Sequence, residues 1–90
     1  MADLTEVLPL SAVHADLAVA GKKALFHQLA VQGARLTGLG EKEVLASLNA
    51  REKLGTTGFG GGVAIPHGKP DGLAQVTGCF FRLETPIDYQ

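Results

Sequence analysis

The sequence predicts an α/β domain, with α+β as the alternative, in which two helices pack on a β-sheet. Three observations carry this prediction. Apolar residues recur at helical spacing after Lys22, a second apolar stripe follows a pair of acidic residues at 41 and 43, and residues 75–84, QVTGCFFRLE, alternate in the manner of a strand. Two helices followed by strands are typical of a sheet covered by helices.

The bulk composition indicates one small globular domain. The chain has 90 residues, 46% of them hydrophobic and 19% charged, and a formal net charge of −1. Its basic residues are scattered and do not interleave with the four Phe and one Tyr, which argues against nucleic-acid binding. Cys79 is the only cysteine, so no internal disulfide can form, which fits a reducing compartment. The acidic N-terminal residues and the absence of a long apolar run predict a cytoplasmic protein without membrane insertion.

The first segments give weaker signals. Residues 4–10 are mostly apolar and end at Pro9-Leu10, and the sequence leaves open whether they form a short strand or a helical turn. Leu17 and Val19 give a brief alternation typical of a strand, within a connector that ends at Gly21.

Two helices are predicted next. The first begins at Lys22, carries an apolar face and stops at Gly38 and Gly40. The second runs from Glu41 to about Lys53, with acidic side chains in its first turn, where the helix dipole favours them. Its apolar stripe comprises Val44, Leu45 and Leu48, and Arg51 lies near the edge of that face.

Strand and turn signals follow. Val63-Ala64-Ile65 is predicted to be a short buried strand, residues 69–72 have the composition of a turn, and the strand at 75–84 ends at Thr85-Pro86. Two or three strands make a poor sheet with an open edge, so we expect residues 1–90 to be the front part of a larger domain.

The candidate site lies in residues 57–69, TGFGGGVAIPHGK. Pro66 fixes its own φ and restricts Ile65 to extended conformations, so His67 leaves the end of a rigid strand. Gly68 leaves the imidazole unshielded, and the preceding glycines leave N–H groups available to an anion. Such a histidine can accept and release a phosphoryl group, with positive charge from Arg51 and donors from residues 56–58.

Other functions of residues 57–69 fit the sequence less well. Neither the P-loop nor the dinucleotide fingerprint fits, because Val63 stands where each needs glycine. The three histidines lack metal-ligand spacing, and Cys79 is expected to be a buried small apolar residue rather than a nucleophile. The residues alone leave open an ordinary loop histidine and favour a solvated helix-end cation for Arg51.

Part of the chain resembles the active-site signature of the type-2 phosphotransferase-system (PTS) IIA domains. The matching residues are REKLGTTG at 51–58, Gly60, Gly62 and AIPHG at 64–68. This family comprises the fructose/mannitol class and its nitrogen-regulatory relative, EIIA-Ntr. The resemblance implies the mannitol/fructose-type IIA fold, a mixed β-sheet flanked by helices. The Gly-Lys pair after the histidine and LETPI at 83–87 resemble the nitrogen-regulatory branch more than the sugar-transport branch.

The resemblance also implies residue roles. His67 would be the phosphorylated nucleophile, accepting the group on Nε2 from a phosphohistidine of an HPr-like carrier, called NPr in the nitrogen branch. Arg51 would stabilise the phosphate, and Thr57, Gly58 and Gly68 would form the phosphate pocket. No cofactor and no metal are implied.

The implied output is regulatory. The phosphorylation state would control partners such as potassium-transport proteins or sensor kinases, and oligomerisation stays open. Two alternatives remain, a sugar-specific fructose/mannitol IIA transport component and a binding module that transfers no phosphate. Family domains continue past the strand at 75–84 and add a second pocket histidine, to which His14 and His27 cannot correspond. We therefore expect residues 1–90 to be the N-terminal portion of a PTS EIIA type-2 domain, incomplete on its C-terminal side.

Overall fold

The computed structural model describes residues 8–89. Within that range the chain forms two helices and two small two-stranded sheets, so the predicted mixed α/β class is confirmed. In chain order the elements are a 3₁₀ turn at Leu10–Ala12, β1 (Val13–Leu17), α1 (Lys22–Thr37), α2 (Glu41–Leu54), β2 (Gly58–Gly60), β3 (Val63–Ala64) and β4 (Phe80–Leu83). Strands β1 and β4 pair in parallel, and β2 and β3 pair antiparallel.

Both predicted helices are confirmed, and they pack against each other. Helix α1 is capped at its C-terminus by Gly38, which adopts the left-handed conformation (φ 78°) and donates its N–H to the Ala34 carbonyl at 2.8 Å. Close to the loop that joins the two helices, a Cβ on Gly33 would lie 2.9 Å from Val44 Cγ1, so glycine allows the helices to approach this closely. The buried apolar residues of the described chain are Ala12, Leu25, Phe26, Ala30 and Val44.

The strands depart from the sequence prediction in detail. Residues 75–84 were expected to form one strand, but β4 pairs with β1 only from Phe80 to Leu83, and Val76 is 73% exposed. The partner limits the pairing, because β1 has five residues and its register breaks between His14 and Leu17, where Asp16 adopts a left-handed φ of 59°.

The strand predicted at 63–65 is present as β3, but the prediction that it is buried is wrong. Val63 and Ile65 are 56% and 50% exposed, while Ala64 is half-buried. Alternation along a strand turns Ala64 to one face and its two neighbours to the other. The turn predicted at residues 69–72 is present one residue later, at 70–73, where the Leu73 N–H donates to the Pro70 carbonyl at 3.3 Å.

Residues 4–7 of the ambiguous first segment lie outside the described residues, and Leu10 begins the 3₁₀ turn. Among residues 8–89, neither helix has the length and apolar character needed to cross a bilayer.

Candidate functional site

His67 lies on the exposed segment that follows β3, and a local hydrogen bond orients its ring. His67 Nδ1 is 3.0 Å from the Ile65 carbonyl oxygen. Because a carbonyl oxygen can only accept, Nδ1 carries the hydrogen. In the neutral imidazole this leaves the lone pair on Nε2. The structure thus fixes a tautomer with its nucleophilic nitrogen pointing away from the β3 segment.

Arg51 approaches the other side of the same ring from the last turn of α2. Its Nε donates to His67 Nε2 at 3.2 Å, and its Nη1 donates to the Gly55 carbonyl at 3.0 Å. The second bond holds the guanidinium against the end of the helix. Two residues that the sequence singled out are therefore brought together, with a permanent positive charge beside the nitrogen that bears the lone pair.

Gly68 seats the histidine segment on α2. A Cβ on Gly68 would lie 2.5 Å from Ser47 Oγ, 3.0 Å from the Ser47 carbonyl carbon and 3.1 Å from the Leu48 nitrogen. The next residue, Lys69, donates its N–H to Ser47 Oγ at 2.7 Å. Ser47 was missed in the sequence analysis. Ser47 lies four residues before Arg51, and this spacing, which places both side chains on one face of the helix, could have identified it.

Substituting alanine for Gly68 is expected to lift this segment from α2 and to destabilise the fold by about 1–3 kcal/mol, because the added methyl group meets backbone atoms that cannot rotate away. Thermal unfolding measures the effect. The matched control is Gly40→Ala, whose added Cβ would meet only the mobile carboxylate end of Glu43. Equal losses of stability in the two variants would contradict the close packing of Gly68 on Ser47.

Thr57 and Gly58 make hydrogen bonds to groups other than the His67 ring. Thr57 is 6% exposed. Its Oγ1 donates to Glu52 Oε1 at 2.6 Å and lies 2.8 Å from the Tyr89 hydroxyl, while the Gly58 N–H donates to Thr56 Oγ1 at 3.1 Å. The Thr57 hydroxyl therefore belongs to a buried network that does not include the imidazole.

Glu52 is the centre of that network. Its carboxylate accepts from the Thr57 N–H at 3.1 and 3.3 Å and from Lys22 Nζ at 2.8 Å, and its side chain is 9% exposed. The ammonium of Lys22 also lies 4.4 Å from the centre of the Tyr89 ring. Burial acts to raise the pKa of Glu52, but the hydrogen bonds from Lys22 and Thr57 outweigh it and lower the pKa to about 2.

The sequence did not predict the roles of Glu52, Lys22 and Tyr89, although it contained one signal for Glu52. A carboxylate in the last turn of a helix faces the negative end of the helix dipole, which is unfavourable unless cations or N–H donors compensate. Glu52 occupies such a position in α2. Its partners come from residues 22, 57 and 89, so local patterns could not identify them.

The remaining candidate residues lie outside the site. His14 is on β1, where it packs edge-on against Phe81 at a ring distance of 5.1 Å, and His27 is exposed on α1. Cys79 was expected to be buried and is half-buried, just before β4, where desolvation raises the pKa of its thiol. Across residues 8–89, no three His, Cys, Asp or Glu side chains cluster in a way that could hold a metal ion.

Comparisons with known proteins agree on one family. The model of the phosphoenolpyruvate-dependent sugar phosphotransferase system EIIA 2 family matches residues 6–90. A nitrogen regulatory protein from Bradyrhizobium diazoefficiens is 45% identical over 87 residues, which cover 97% of this chain and 57% of that protein. One from Pseudomonas putida is 42% identical over 67 residues, covering 74% of this chain and 75% of that protein.

Structural comparison gives a consistent result. The crystal structure of the nitrogen regulatory protein IIA-Ntr from Neisseria meningitidis superposes with a TM-score of 0.89 at 45% identity, covering 93% of this chain and 57% of that one. The chain thus spans little more than half the length of the Bradyrhizobium and Neisseria proteins.

Proposed function

Because this chain belongs to the phosphoenolpyruvate-dependent sugar phosphotransferase system EIIA 2 family, we propose that it is a phosphohistidine carrier with a regulatory output. His67 accepts the phosphoryl group from a phosphohistidine of an HPr-like carrier (NPr) in the cytoplasm. The phosphorylation state then controls regulatory partners such as potassium-transport proteins or sensor kinases. The relatives named nitrogen regulatory protein support this branch over a sugar-specific transport component. Residues 1–90 are, in this proposal, the N-terminal portion of the EIIA domain.

The orientation of the His67 ring carries the proposal. With Nδ1 bonded to the Ile65 carbonyl, Nε2 has the lone pair and lies on an exposed segment that a donor protein can reach. In the transfer, the Nε2 lone pair forms a bond to phosphorus while the donor's nitrogen–phosphorus bond breaks, and that electron pair returns to the donor imidazole. No proton has to move, because the accepting nitrogen carries none.

Arg51 has two successive tasks in this scheme. Before transfer, its Nε–H donates to the Nε2 lone pair at 3.2 Å, so this hydrogen bond must open for attack. After transfer, the guanidinium lies beside the phosphorylated Nε2. The phosphoryl oxygens can then accept hydrogen bonds from the N–H groups of Arg51. Phosphoryl transfer depends mainly on such positioning and charge compensation.

The direct test is the intact mass of the 90-residue chain after incubation with a phosphorylated HPr-like carrier. We expect a gain of one phosphoryl group that acid treatment removes. A full-length nitrogen regulatory relative, treated with the same donor, shows that the donor is active. If the relative gains the group and this chain does not, the chain is not a phosphoryl carrier in this form, and the alternative of a non-transferring binding module is supported.

Arg51→Ala is expected to slow phosphorylation of the chain by about 10²-fold, because one preorganised donor to the reacting group is lost. Lys53→Ala is the matched control, since it removes the same charge from the same turn of α2, and Lys53 is exposed. Initial rates of phosphorylation at fixed donor concentration measure both. If the two variants slow the reaction equally, the effect comes from net charge and Arg51 has no specific role.

A further inference from the structure

We infer that Glu52 is a positioning residue for His67, which acts through Thr57 and Ile65 to hold the imidazole in its Nδ1–H tautomer. This inference rests on the proposed function, in which that tautomer presents Nε2 to the phosphoryl donor. Glu52 itself makes no hydrogen bond to His67 among the described contacts, so its influence has to pass through the loop.

The first link joins the helix to the loop. The Glu52 carboxylate accepts from both the backbone N–H and the hydroxyl of Thr57, with the shortest distance at 2.6 Å. Thr57 is buried, and Glu52 is only 9% exposed, so water competes little for these bonds. The end of α2 therefore fixes Thr57 in position.

The second and third links lead from Thr57 to the imidazole. The Thr57 carbonyl accepts from the Ile65 N–H at 3.0 Å, and the Ile65 carbonyl accepts from His67 Nδ1 at 3.0 Å. Thr57 donates to Glu52 and accepts from Ile65, and Ile65 in turn accepts from His67. This series of hydrogen bonds fixes the positions of the residues and carries no charge to the imidazole. If Thr57 moves, Ile65 loses its anchor, and the carbonyl that selects the tautomer moves with it.

The same turn of α2 thus holds the ring from both sides. Arg51 contacts Nε2 directly, whereas its neighbour Glu52 determines, through two residues, which acceptor Nδ1 meets. The Glu52 carboxylate is ionised at neutral pH, and although burial acts to raise its pKa, the hydrogen bonds from Lys22 and Thr57 lower that pKa to about 2. A permanent acceptor is what the two Thr57 donors require, because a protonated carboxyl group would offer them fewer lone pairs.

The test is Glu52→Gln, which keeps the shape but loses the charge and one acceptor oxygen. Nitrogen chemical shifts of the His67 ring, measured by NMR on the unphosphorylated chain, report the tautomer. We expect wild type to be predominantly Nδ1–H and the variant to become a mixture with Nε2–H, while phosphorylation slows by about tenfold to 10²-fold through misplacement. Should Glu52→Gln fail to fold, Thr57→Val removes the hydroxyl link from the other end and is expected to give the same mixture.

The control is Val44→Ala, which weakens the core between the helices without touching the links. It is expected to lower the melting temperature but to leave the His67 tautomer unchanged. An unchanged tautomer in both Glu52→Gln and Thr57→Val overturns the inference, even if wild type is phosphorylated. A shifted tautomer together with no phosphorylation of wild type upholds the inference and rejects the proposed function, so the two failures are distinguishable.

Discussion

Replacing His67 with glutamine is expected to abolish phosphorylation of the chain and to leave its fold intact. An amide nitrogen has no available lone pair to attack phosphorus, so the loss should be complete rather than partial. The fold should tolerate the change, because His67 is exposed and its polar contacts are the bonds to Arg51 and Ile65. We expect a cost in unfolding free energy of about 1 kcal/mol, as for one ordinary hydrogen bond. Intact mass and thermal unfolding measure the two effects.

His27→Gln is the matched control for that experiment. His27 is also exposed and lies on α1. Its substitution makes the same change of side chain at a position that does not contact Arg51. It should gain the phosphoryl group at the wild-type rate. If the His67→Gln variant is still phosphorylated, or if the His27→Gln variant is not, His67 is not the accepting residue. Unfolding of His67→Gln at ambient temperature would instead favour a structural histidine.

The sequence predicted the parts of this molecule that depend on local patterns. Apolar spacing and glycine stops located both helices, and the conformational effects of Pro66 identified the segment that presents His67. The pairing of Arg51 with His67 came from the resemblance of residues 51–68 to a known signature, and the structure places the two side chains 3.2 Å apart. Spacing alone left Arg51 as a solvated cation, because nothing local shows which way a helix-end side chain turns.

What the sequence did not predict depends on distant residues. The acceptor for Thr57 is Glu52, whose own cation is Lys22, thirty positions earlier, and Tyr89 joins from beyond β4. The prediction that Val63 and Ile65 are buried was wrong for a related reason. An apolar run predicts a strand but does not show what packs on either face of it. Tertiary contacts, rather than local sequence preferences, determine both the partners of Glu52 and the exposure of Val63 and Ile65.

The stability of the fold is expected to fall as the pH drops below about 4.5, and Glu52 should account for much of the loss. Its pKa is lowered from the ordinary value of 4.5 to about 2 in the folded chain. A carboxyl group with a lowered folded-state pKa binds protons more readily when unfolded. Its stabilisation is therefore complete above pH 4.5, declines as the pH falls, and is gone once the pH is below about 2.

A lowering from 4.5 to about 2, reduced by solvent screening of the partly exposed Lys22 partner, corresponds to about 1–3 kcal/mol of stability at neutral pH. In a domain with so small a core, a loss of this size is a large fraction of the total. Urea unfolding at a series of pH values from 7 to 2.5 measures it. Glu52→Gln should be less stable at pH 7 and should vary much less with pH, whereas the exposed Glu84→Gln should follow wild type. If Glu52→Gln retains the full pH dependence, other carboxylates control the acid response and the Lys22–Glu52–Thr57 network does not stabilise the fold.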